Sequence, residues 1–160
     1  MVTLFVAHIR PLIDYCSPVW NLGYRGDIRK LESVQRRWLR EVEGMDVLDY
    51  SVRLRRSGLY SVHGRLLRAD LIKLWKIFHG FVDRELVEIF ERCSHPTTRG
   101  HRFKLSIPRC RTEIRRRFFS VRCVVLWNGL PDVAVELDTC NKFKGYLDKF
   151  MPDMFYETLV

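Results

Sequence analysis

Arg115 to Pro131 reads RRRFFSVRCVVLWNGLP. Three successive arginines lead into the paired phenylalanines Phe118 and Phe119. An apolar body from Val121 to Leu126 follows, and the run ends at Trp127-Asn128-Gly129-Leu130-Pro131. So dense an apolar run demands a buried element, and proline withholds the donor that would carry a helix further. The stretch reads as a cationic helix entry, a buried helix body and a stop at Gly-Leu-Pro. The surrounding chain repeats this logic and predicts an all-α protein.

Upstream, Val2, Phe5, Val6, Ile9, Leu12 and Ile13 recur at three- and four-residue intervals, which predicts a helix with one buried face, kinked at Pro11. Tyr15, Val19 and Trp20 continue the apolar pattern around Pro18. Asp27 is the expected N-cap of the next helix, which runs to a stop at Gly44 with Ile28, Leu31, Trp38 and Val42 as its core stripe and Val34 at the edge. Tyr50 to Ser57 reads as a short helix closed by Gly58. Ser61 caps a longer one reaching Gly80, with Leu67, Leu71, Leu74, Trp75 and Phe78 inward. Asp83 is expected to cap a further helix through Phe90. Thr139 opens the last, with Phe143, Leu147 and Phe150 on one side. Between Cys93 and Thr112 the periodicity lapses into a loop rich in proline, threonine and glycine, with a short strand possible at 103–107. The expectation is one domain over residues 1–160, with five to seven helices and one irregular loop at about 93–112.

A chain of 160 residues, 47% hydrophobic and 12% aromatic, can bury a core, and this composition argues against disorder. Its net charge of +9 points to an anionic partner, nucleic acid before a membrane surface. The five cysteines are odd in number and contain no Cys-x-x-Cys pair, which fits a reducing compartment, nucleus or cytoplasm. Cys16 and Cys123 lie beside apolar runs and read as small hydrophobes. No apolar run is long enough to predict a membrane span.

Polymerase chemistry needs paired carboxylates to hold two metal ions, and no Asp-Asp dipeptide occurs. Gly-rich phosphate loops and hydrolase or metalloprotease motifs are missing as well. By itself the chain is expected to be no enzyme, with no cofactor and no small-molecule substrate. Asp70 reads as half of a structural ion pair, with Arg53, Arg65 and Arg68 as candidate partners. Cys93, His95, His101 and Cys110 are zinc-type ligands within one loop, but their spacing matches no standard structural site, so loop residues without metal are expected. The stronger signal is electrostatic. Arg29, Arg36, Arg37 and Arg40 share one helix, while Arg109, Arg111, Arg115, Arg116, Arg117 and Arg122 oppose only Glu113. Such density tracks a phosphate backbone or simply forms a solvated face. Phe118 and Phe119 can stack on bases, although adjacent aromatics at a helix start more commonly pack inward.

The run from Arg115 to Pro131 resembles the tail of non-LTR (LINE-type) retrotransposon reverse transcriptases of jockey-like and related clades, whose pattern is R-x-x-FFS-x-R-V-V-x-LWN-x-LP. Cys123 stands where that pattern has valine. Further stretches match in the same order. Ile9 to Trp20 is similar to V-R-P-x-L-E-Y-x-S-x-V-W, and Ile28 to Arg37 to I-x-x-L-E-x-V-Q-R-R. Tyr50 to Leu59 with Arg65 to Leu71 resembles Y-x-x-R-L-x-x-L-G-L…R-R-x-x-x-D-L. Thr98 to His101 matches T-R-G-H, and Phe143 to Phe150 matches F-K-x-x-L-D-x-F. Ser57 replaces a usual leucine, and Gly64 falls where glutamate would complete a capping box with Ser61. In this family the region follows the palm that carries the catalytic aspartates. The resemblance therefore implies a thumb-proximal, non-catalytic C-terminal segment that holds RNA or an RNA/DNA duplex beside the upstream polymerase domains. A protein-docking module for such a polymerase, which exposure of Val2, Phe5, Val6 and Ile9 would favour, and a relic open reading frame are the alternatives.

Overall fold

The structure is a computed structural model and describes residues 1–82, 85–93 and 101–158. It is all-α. Five helices of eight or more residues dominate the described residues: Arg25–Arg40, Tyr50–Ser57, Val62–Phe78, Phe119–Asn128 and Cys140–Phe150, with shorter helical turns between them. No strand forms among the described residues. At the expected strand position Leu105 makes only an isolated antiparallel bridge to Arg92. The Asp83 cap lies outside the described residues. The chain divides into two compact units, Met1–Arg68 with Pro152–Val160, and Ala69–Met151. The Val62–Phe78 helix gives its first turns to one and the remainder to the other.

In the first unit, Phe5, Leu39, Met45, Leu54 and Leu59 form a buried cluster, with Val2, Val6, Ile9 and Trp38 packed against it. The N-terminal run accommodates Pro11 by widening. Phe5–Ile9 is a π-helix in which the Arg10 N–H reaches the Phe5 carbonyl, and Pro11 then sits at the start of Arg10–Asp14. A π turn holds about one extra residue, which shifts the face of everything after it. Ile13 still packs inward, against Ile28, Val62 and Leu66, whereas the expected core residue Leu12 is exposed. Cys16 is also exposed and takes a left-handed φ of 50°, where the chain turns between two short helices.

The Arg25–Arg40 helix starts two residues before the expected Asp27 cap. Tyr24 is its N-cap, and Asp27 lies in its first turn, within 3.8 Å of Lys30. Ile28 is buried as expected, but its companions in the buried stripe are Glu32, Gln35 and Leu39. Leu31 and Trp38 are half-buried and Val34 is exposed. Two polar side chains occupy the stripe because the fold satisfies them there. The Glu32 carboxylate accepts the Tyr50 hydroxyl and the Val62 (2.9 Å) and His63 (3.4 Å) backbone N–H groups. Gln35 Nε2 donates to Tyr50 Oη (3.1 Å) and the Tyr60 carbonyl (2.9 Å). Glu32 thus caps the start of the Val62–Phe78 helix from another helix, and Ser61 Oγ accepts the Gly64 N–H at 2.9 Å. Glu32 takes the first two N–H groups of the helix, while the Ser61 N–H that a glutamate at 64 would accept goes to the Phe155 carbonyl.

Gly64 has its own cause. A Cβ there would overlap the backbone of Phe155, because the Pro152–Tyr156 turn crosses the helix at that point. The Ser61 N–H donates to the Phe155 carbonyl at 3.0 Å, and Phe155 is fully buried.

In the second unit, Trp75 stacks with His79 (ring centroids 3.9 Å apart) and with Phe143 (5.7 Å), while Phe78 stacks on Trp127 (5.7 Å). Thr139 caps the last long helix as expected, accepting the Lys142 N–H at 3.3 Å. Asp70 is 1% exposed, and its partner is Arg122, 52 residues away, not Arg53, Arg65 or Arg68. Both carboxylate oxygens are engaged, by Nε at 2.8 Å and Nη2 at 2.9 Å. Burial pushes the Asp70 carboxyl above its usual range, and the Arg122 hydrogen bonds and charge pull it back only in part.

Candidate nucleic-acid interface

The run that begins at Arg115 is two helical pieces. Thr112 caps the turn Glu113–Arg116 by accepting the Arg115 N–H at 3.3 Å, and the helix restarts at Phe119 after an extended Phe118. The break has a use. The Arg117 carbonyl, which a continuous helix would pair with residue 121, accepts Arg122 Nη1 at 2.9 Å. The same guanidinium grips Asp70, so Arg122 joins two elements inside the unit and is withdrawn from any phosphate-binding role. Arg117 is half-buried and pairs with Glu113 at 2.9 Å. Arg109, Arg111, Arg115 and Arg116 are exposed. Of these, Arg116 reaches Glu113 at 3.6 Å, while Arg109, Arg111 and Arg115 make no ion pair among the described residues. Exposed ion pairs hold an arginine by less than about 1 kcal/mol, so Arg116 also stays available.

On the first unit, Arg29, Arg36, Arg37 and Arg40 are all exposed. At about 100° per residue, Arg25, Arg29, Arg36 and Arg40 fall within about 60° of one another, beside the buried stripe, and Arg37 stands apart. Arg36 lies 4.8 Å from the centroid of the Tyr50 ring. Arg25 belongs to this row by position, and its spacing to Arg29 was the available signal. A helix that began at Asp27 would leave Arg25 out of the row.

The loop that raised the question of zinc is organised by Trp127 and Asn128 instead. His95 lies outside the described residues, as do Thr98, Arg99 and Gly100. His101, 2% exposed, places Nε2 2.9 Å from the Trp127 carbonyl with its ring edge-on to the indole. The Trp127 indole N–H donates to the Phe103 carbonyl at 2.9 Å. Asn128 pairs with both backbone groups of Leu105, accepting its N–H at 2.9 Å and donating to its carbonyl at 2.8 Å. On the other side, the Cys93 N–H reaches the Lys104 carbonyl (3.1 Å) and the Ser106 N–H reaches that of Glu91 (2.7 Å). Each buried donor left unsatisfied would cost about 1–3 kcal/mol. Trp127 and Asn128 therefore clamp His101, Phe103 and Leu105. Cys93 is exposed and Cys110 half-buried, and no group of three metal-ligating side chains assembles among the described residues.

No helix among the described residues is long and apolar enough to cross a membrane. Comparison of the chain with family models, curated proteins and solved structures finds no match.

Proposed function

We propose that this chain is a non-catalytic C-terminal segment of a LINE-type reverse transcriptase that holds RNA or an RNA/DNA duplex by its backbone, without reading its sequence. The ordered stretches that resemble that family support the assignment. The exposed guanidinium groups of Arg109, Arg111, Arg115 and Arg116 carry the binding half of it. With Glu113 the only acid between Arg109 and Arg122, these cations face solvent in a chain of net charge +9. The row of Arg25, Arg29, Arg36 and Arg40 is the second such surface. Five free cysteines suit a nuclear or cytoplasmic setting.

Binding of the purified chain to labelled structured RNA and to a duplex, across a salt series, tests this. Log affinity should fall steeply with log salt. Replacing Arg109, Arg111, Arg115 and Arg116 by alanine should reduce the duplex slope by about 0.9 for each phosphate that is no longer neutralised. No affinity even at low salt would remove the reading.

A protein-docking role has separate support. Val2, Phe5, Val6 and Ile9 pack inward, but Leu12, Tyr15 and Val19 are each at least three-quarters exposed. Exposed apolar side chains of this kind suit a protein partner such as the upstream domains of a polymerase.

A further inference from the structure

Phe118 and Phe119 are neighbours in sequence, yet the helix break sends them to different surroundings. Phe119 opens its helix and packs edge-on against Phe90, with centroids 5.9 Å apart and planes at 87°. Phe118 precedes that helix with φ −66° and ψ 147° and remains 41% exposed. The Arg115 guanidinium lies 5.3 Å from its ring centroid. Arg109, Arg111 and Arg116 are exposed in the same stretch, and the one intervening acid, Glu113, is held by Arg116 and Arg117.

We propose that Phe118 is a stacking platform for an unpaired base, so that the Arg109–Arg116 surface, which holds any nucleic acid by its backbone, holds a single-stranded stretch by a base as well. The inference rests on the nucleic-acid reading above and extends it. An exposed aromatic ring that holds a guanidinium over its face can exchange that cation for a base, and the displaced Arg115 and its neighbours then neutralise the phosphates on either side of the base. Duplex bases already cover one another's faces, so only an unpaired base can use the ring. Ile114, in the turn before Phe118, is also exposed. A purely apolar contact would accept any large aliphatic at position 118. Stacking requires an aromatic.

The test compares wild type, Phe118→Ala, Phe118→Leu, Phe118→Trp and the Arg109/Arg111/Arg115/Arg116→Ala variant. Each is titrated with a single-stranded RNA, the DNA strand of the same sequence, and the matching duplex. The expected result is a loss of about tenfold in single-strand affinity for the alanine and leucine variants. Tryptophan should restore that affinity, with fluorescence quenching beyond that of wild type. Duplex affinity and the salt slope should not change in any Phe118 variant. The ring is surface-placed, so thermal melting should be near wild type. If the alanine variant fails to fold, the leucine and tryptophan variants carry the comparison. Full single-strand affinity in the leucine variant, or equal losses on single strand and duplex, overturns the stacking role. If in either case the arginine variant still loses salt-dependent binding, backbone binding stands. A wild-type chain that binds none of the three ligands overturns both.

Discussion

At the scale of a residue, Gly64 shows how little a sequence pattern says about cause. Against the family pattern it looks like a lost capping glutamate, and glycine in a first turn costs about 1 kcal/mol against a good helix former. In the fold it is the position where the Pro152–Tyr156 turn passes with no room for a side chain. Gly64→Ala should push that turn away and expose Phe155, whose burial contributes about 1.5–3 kcal/mol. Thermal melting should fall accordingly, and proteolysis should begin at the C-terminus. In a chain ending at Met151 the same substitution should be neutral or mildly stabilising. A full-length Gly64→Ala chain with unchanged melting would show that the crossing does not hold the turn. Arg122 is the converse case. By composition it belongs to the cationic run, and only its partner Asp70 removes it from that role.

At the scale of an element, the Val62–Phe78 helix is capped by a side chain thirty residues earlier. Burial holds the Glu32 carboxyl above its ordinary value of 4.5, while the Tyr50 hydroxyl and the His63 and Val62 N–H groups draw it down in part. A carboxyl whose pKa is raised on folding favours the folded state most when protonated. That contribution is fully present below pH 4.5 and is lost as pH rises through the raised value. Wild-type melting temperature should therefore rise relative to that of Glu32→Gln as the pH is lowered through this window. A constant difference between the two chains would mean that Glu32 titrates alike folded and unfolded. Much at this scale was legible. Ser61 and Thr139 cap as their positions demand, and Gly58 and Gly80 close helices with φ of 66° and 73°. The polar stripe of Glu32 and Gln35 was not legible, because hydrophobic periodicity assigns polar residues to solvent. Their partners, Tyr50, Tyr60 and the Val62 amide, lie on other elements.

At the scale of the whole molecule, two rows of exposed arginine belong to two compact units, and each unit contributes its own surface to the proposed binding. Replacing Arg25, Arg29, Arg36 and Arg40 by alanine should lower the log–log salt slope, as should the Arg109-to-Arg116 variant. The two reductions should add when the variants are combined, since sites that share no partner act independently. If either variant alone removes all salt dependence, the other row takes no part.

The sequence by itself determined the all-α class, most helix boundaries, the excess of positive charge and the absence of an Asp-Asp dipeptide. These follow from spacing, capping and counting along the chain. Only the tertiary structure decided which arginines face solvent, which of Phe118 and Phe119 packs inward, and why glycine stands at 64. It also turned Trp127 and Asn128 from part of a helix stop into the clamp on His101, Phe103 and Leu105. The physical reason is the same in each case. Burial, hydrogen-bond satisfaction and close backbone approach depend on residues far apart in the chain, and local periodicity carries no record of them.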